Sequence, residues 1–201
     1  MKAVYVVFSH TSTYIGKMIR LATMNKYNHV SVSFYEGLNE MYSFGRRYIN
    51  SPLAGGFIVE RPDRYNSPQQ NISIKICRLA VSDAQYEEIE NFIGSAFTNA
   101  DKLIYNTFDA VFLVLHRRFR IKDAYTCLDF ACRTLKFDNI FSIRQLEKQL
   151  EDNVIYEGSF CDWVASAPPS EDLYFQRRSP VQVSADTARH FIKLVSRAVY
   201  R

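Results

Sequence analysis

Cys127 opens the amphipathic stretch CLDFACRTL, directly after the polar pair Tyr125-Thr126. A cysteine kept for packing belongs inside an apolar face. One at the polar head of a helix meets the positive end of the helix dipole, which favours thiolate over thiol. A thiolate attacks amide and ester carbonyls, and it needs a base nearby and a third polar group that holds the base in one tautomer. The chain has four histidines. His116 and His190 lie in basic or helical settings with no acid spaced to orient them, and His10, in the turn after the first strand, suits a loop or capping role. His29 heads the strand NHVSVSFY, with Ser31 and Ser33 on its face and Val30, Val32 and Phe34 on the other. Alone it reads as a structural histidine with a satisfied hydrogen bond. Beside a thiol at a helix N-terminus it reads as a base.

Such a pair requires a helix packed on an antiparallel sheet, and the chain carries the pieces. Lys2 to Phe8, rich in Val and aromatics, predicts a buried strand, and Thr13 to Met24 a helix. NHVSVSFY and EMYSFGRRYI, joined at EGLN, predict a hairpin, with GGFIVER and NISIKICRL as further strands. Ser82 precedes the helical pattern DAQYEEIENFIGSAF, with acids in its first turn. Residues 103–121 read as helical, Tyr125 to Leu135 as the helix bearing the thiol, Ile143 to Leu150 as a short helix, VIYEGSF as a strand or turn, and Ser184 as the cap of a terminal helix. A block of strands followed by helices makes the class α+β with an antiparallel sheet.

Composition narrows the function. The 201 residues are 47% hydrophobic and 14% aromatic, enough for one self-sustaining domain over 1–201, with 151–201 as a C-terminal extension. The net charge of +4 is too weak to imply nucleic acid, and the basic run HRRFRIK reads as a solvated edge. No apolar run reaches the length of a membrane span, and the N-terminus reads as a strand and not as a signal peptide, so a reduced cytoplasmic protein is expected. The four cysteines lack zinc-type spacing, and one cysteine with one histidine falls short of four ligands, so no metal or cofactor is implied.

The segments NHVSVSFYEGLNEMYSFGRR, GGFIVE and AYTCLDFACRTL together resemble the papain-like NlpC-type cysteine hydrolase superfamily. The order, histidine strand before cysteine helix, is that of its circularly permuted, YiiX-like branch, with the lecithin:retinol acyltransferase-like enzymes more distant. The resemblance covers roughly residues 1 to 135. It implies a papain-like sheet packed against helices, Cys127 as nucleophile and His29 as base. Aligning the hairpin turn carries the third polar position onto Ser43, where the family more often has His, Asn, Gln or an acid. Strand parity agrees: Met41 and Ser43 share His29's face, and Ser43 is the polar one. Glu40, through a bulge at the turn, and Glu60 are its rivals. Leu128 departs from the small polar residue usual after the cysteine, and helix geometry sends Asp129 to solvent. Arg46 offers a contact for a substrate carboxylate or phosphate, and Tyr42 and Tyr125 offer hydroxyls. The expected substrate is a small amide, a peptide or an acyl lipid. A non-catalytic binding module that retains the papain-like fold is the competing expectation.

Overall fold

The computed structural model describes residues 1–11, 25–65, 72–112, 119–164 and 172–199. Its frame is a six-stranded antiparallel sheet in the order β4-β3-β2-β1-β5-β8. The strands are β1 (Lys2–Ser9), β2 (His29–Ser33), β3 (Met41–Arg46), β4 (Gly55–Glu60), β5 (Ser73–Val81) and β8 (Val154–Ser159). β1 is apolar at successive positions because both of its faces are covered. Val4, Val6 and Phe8 enter one core and Tyr5 and Val7 another.

The first core lies under α1 (Asp83–Thr98), α3 (Cys127–Thr134) and the residues around α4 (Ile143–Gln149). α1 begins where Ser82 accepts from the Gln85 amide and the Gln85 side chain returns the bond, a capping box. Phe130 of α3 sits among Phe44, Phe57 and Phe92 with ring centroids 5.3, 5.6 and 5.7 Å away. Truncating a ring buried in this way costs roughly 3–5 kcal/mol, and here it would release the helix that carries Cys127. The second core joins Tyr5, Val7, Met41, Ile74 and Ile76 to Phe160 of the short helix α5 (Phe160–Trp163).

Residues 103–121, expected as one helix, divide. Ile104–Tyr105 form β6, which pairs in parallel with β7 (Ala124–Tyr125), and Thr107–Phe112 form α2. The ladder forms because Asn106 interrupts the apolar pattern; its amide donates to the Tyr125 carbonyl at 3.0 Å and its side chain caps the Asp109 amide. The terminal helix α6 runs Pro180–Val199 and starts ahead of Ser184. Ser179 accepts from the Gln182 amide and Gln182 accepts from the Ser179 amide, so the true capping box precedes a proline at the first helical position. Ser184 lies inside the helix and donates back to the Pro180 carbonyl. The segment expected as an extension supplies the sixth strand, β8, and α6 buries Leu194 beside Ile104, Ile121 and Ala124. The helix expected over Thr13 to Met24 lies outside the described residues, as does His116. Among the described residues no helix is long and apolar enough to cross a membrane.

Candidate active site

The β6–β7 ladder delivers the chain to α3, and Thr126 turns it into the helix. Its backbone is extended (φ −86°, ψ 169°), and its hydroxyl accepts the Asp129 amide at 3.1 Å. Cys127 is thereby the first helical residue, 5% exposed. Asp129 is buried as well, against the expectation that it faces solvent: α3 lies in the core on most of its circumference.

His29 starts β2, and Cys127 lies near enough to its ring to be among the groups that raise its pKa. Both carboxylate oxygens of Glu60 meet the ring's Nε2, at 3.0 and 3.1 Å. Glu60 Oε2 also accepts from Ser31 Oγ at 2.5 Å and from Tyr65 Oη at 2.9 Å. Glu60 is 6% exposed and His29 9%. Burial opposes a charged imidazole here, but the Glu60 charge, the nearby Cys127 and the Glu60 hydrogen bond outweigh it and hold His29 up at about 10. Burial likewise opposes the carboxylate, yet the His29 charge and hydrogen bond, the Arg64 charge and the Ser31 bond hold Glu60 down at about 2. At neutral pH the pair is imidazolium and carboxylate.

Gly45 leaves room for Ile58 beside the ring. A Cβ there would stand 2.7 Å from Ile58 Cδ1 and 3.9 Å from His29 Cε1. Tyr105, on the ladder, is kept a neutral phenol, above all by burial.

Ser43 shares the face of His29, as parity requires: Val32 pairs with Tyr42, so Ser31 lies opposite Ser43. Its hydroxyl, however, donates to the Val30 carbonyl at 2.7 Å, and the group at His29 Nε2 is Glu60. Parity selects a face and not a strand. Glu60 on β4 pairs with Met41 on β3, so it occupies the same face from one strand further out, with a side chain long enough to reach across. Glu40 points elsewhere, accepting from Tyr42 Oη at 3.0 Å and facing Arg61 at 3.6 Å.

The expected substrate-binding residues separate. Tyr42 lies on the opposite face, packed on Phe34 and Phe57. Arg46 is spent inside the protein, donating to the Ile49 carbonyl at 2.8 Å and to Tyr174 Oη at 2.9 Å. Tyr125 borders a half-open cavity of about 360 Å³ together with Phe44, Phe92, Leu103 and Phe130, with Lys102 and Asp123 also in its wall. Tyr65 and Arg64 escaped the sequence reading, since nothing in "RPDRY" marks them. Glu60, the polar end of an apolar strand, was legible as a rival. Among the described residues no cysteine is in a disulfide, and of the four Cys161 alone is exposed. Among the described residues no group of three or more metal-ligating side chains gathers. No protein-family model matches the chain, and no curated protein matches it.

Proposed function

We propose that this site belongs to a cysteine hydrolase or acyltransferase that cleaves an amide or ester through an acyl-thioester, on a circularly permuted papain-like fold. One observation carries the reading. A buried imidazole, clamped at Nε2 by a carboxylate, has a cysteine at a helix start close enough to raise its pKa. Purely structural ion pairs do not need a thiol as third partner.

The chemistry follows from the charges. Cys127 as thiolate attacks the carbonyl carbon while the helix N-terminus, with the Cys127 amide, faces the developing oxyanion. His29, already an imidazolium, gives its Nδ1 proton to the leaving nitrogen or oxygen as the C–N or C–O bond breaks. The neutral ring then takes a proton from water or an acceptor hydroxyl, which attacks the thioester, and returns that proton to the departing Cys127 sulfur. Glu60 stays ionised throughout and holds the ring. The competing reading, a non-catalytic module, drew strength from a serine in the orienting place; a carboxylate there removes that argument. Cys127, His29 and Glu60 do not line the cavity beside Tyr125, whose wall mixes Phe44, Phe92 and Phe130 with Ser95, Asn99, Lys102 and Asp123, so a small amide, a peptide or an acyl lipid as substrate rests on the resemblance alone.

Iodoacetamide labelling of the folded chain, read by peptide mass spectrometry, tests this. Cys127 should react much faster than Cys77, whose thiol burial pushes up to about 12, and faster than buried Cys132. His29→Ala should remove the advantage. Equal, slow labelling of the three, unchanged in His29→Ala, would defeat the reading.

A further inference from the structure

The chain after residue 171 returns over the turn that follows β4. Asp172 caps the short 3-10 helix Leu173–Phe175 by accepting the Tyr174 amide at 2.9 Å. It also takes a forked pair of bonds from Arg64, Nε to Oδ2 at 2.6 Å and Nη2 to Oδ1 at 2.7 Å. Both residues are partly buried, their side chains 9% and 10% exposed. The Arg64 guanidinium stands 4.7 Å from the centre of the Tyr174 ring, whose hydroxyl accepts from Arg46. Further bonds fasten the same segment: Ile49 donates its amide to the Tyr174 carbonyl at 2.8 Å, and Asn50 and Arg178 exchange two bonds.

Docking a tail does not call for this. Removing a guanidinium and a carboxylate from water costs several kcal/mol each, and apolar packing of similar volume secures a segment as well. What Arg64 adds is a fixed positive charge one residue before Tyr65, whose hydroxyl donates to the residue that orients His29. Its neighbour Tyr65 hydrogen-bonds Glu60 at 2.9 Å, and the Arg64 charge is among those that hold the Glu60 carboxyl down. The groups facing Glu60 are His29 and Ser31 of β2 and Arg64 and Tyr65 of the turn, with Cys127 of α3 beyond the ring. Arg61, though adjacent in sequence, turns to Glu40.

We propose that Arg64 is a positioning residue for the His29–Glu60 pair, and that the Asp172–Tyr174 turn is the clasp that holds it there, so that the C-terminal segment completes the site. The proposal rests on Cys127 being the nucleophile. The electrostatic consequence is that Glu60 keeps its charge to lower pH with the clasp closed than with it open.

The test uses the full chain and two readouts: the carbon-13 shift of the Glu60 carboxyl, and the Cys127 iodoacetamide rate, each followed as pH falls from 7. In Arg64→Gln both midpoints should move up by roughly one pH unit, the size of one neighbouring-charge effect. Asp172→Asn deletes a negative charge, which alone would move the midpoints down, so the smaller upward move expected there reports that Arg64 has left its place, while Arg64→Lys should restore most of the wild-type position. Midpoints unchanged in Arg64→Gln and Asp172→Asn, with only the melting temperature lowered, would overturn the proposal and leave a structural clasp. Should Arg64→Gln fail to fold, Asp172→Asn decides by the same criterion. His29→Ala separates the two readings: if it leaves Cys127 labelling unchanged, the nucleophile assignment falls; if it slows labelling while the clasp variants shift nothing, only the clasp falls.

Discussion

Replacing Glu60 by Gln keeps the shape of the side chain and deletes its charge, and the result should show first in how stability depends on pH. His29 rises from an ordinary 6.5 to about 10 in the fold, a difference of about 3.5 units, and Glu60 drops from 4.5 to about 2. At about 1.4 kcal/mol per unit the two ends give about 5 and about 3 kcal/mol for what is one shared attraction. The loss on removing one partner of a buried pair, roughly 3–5 kcal/mol, falls in the same range. The histidine's pKa is raised, so its contribution is complete below 6.5 and disappears as pH climbs through 10. The glutamate's is lowered, so its contribution is complete above 4.5 and disappears as pH falls toward 2. The pair therefore stabilises fully between 4.5 and 6.5. Urea unfolding at a series of pH values compares the two proteins. Glu60→Gln should be weaker by about 3–5 kcal/mol near the middle of that window. Between 6.5 and 10 the gap should close by about 1.4 kcal/mol per pH unit, because the wild type alone carries an extra folded-state proton there. Parallel curves across that range would mean that His29 is not held as imidazolium, and the ion-pair mechanism would fall with it.

Three other substitutions bear on the same geometry. Ser43→Ala should leave the Cys127 labelling rate within about twofold and cost only about 1 kcal/mol in a denaturant melt, since its hydroxyl serves the Val30 carbonyl; a large loss of reactivity would restore Ser43 as the orienting residue. Thr126→Ala removes the cap of α3 and should cost about 1 kcal/mol and slow Cys127 labelling, with Thr126→Ser recovering both. Gly45→Val should destabilise by roughly 1–3 kcal/mol in a denaturant melt, because its Cβ would stand 2.7 Å from Ile58 Cδ1; wild-type stability in that variant would show that Ile58 has room to move.

Much of this was present in the order of residues. The strands β1 to β5 and the capping box at Ser82 follow from alternation, β-branched runs and an S-x-x-Q signal, which are local properties. Cys127 and His29 stand out in the sequence because a thiol at a helix head and a histidine at a strand head each have few other uses. Where local signals competed, the tertiary structure chose. Residues 103–121 are apolar enough for a helix, but the asparagine at 106 and the partner strand Ala124–Tyr125 made a ladder of their start. Ser184 looks like a cap in the sequence, but Ser179, with its two bonds to Gln182, starts the helix and Ser184 lies inside it.

What a chain determines by itself is which face each strand residue occupies, because alternation is a property of the backbone. Which same-face residues touch depends on strand order, twist and side-chain length, and those are set only when distant segments pack. Hence parity brought Ser43 and Glu60 to the face of His29 with equal right, and the sheet awarded the imidazole to the longer, charged side chain two strands away. Arg64 and Asp172 lie 108 positions apart with no local pattern linking them, and their contact exists only because the tail folds back across the turn after β4.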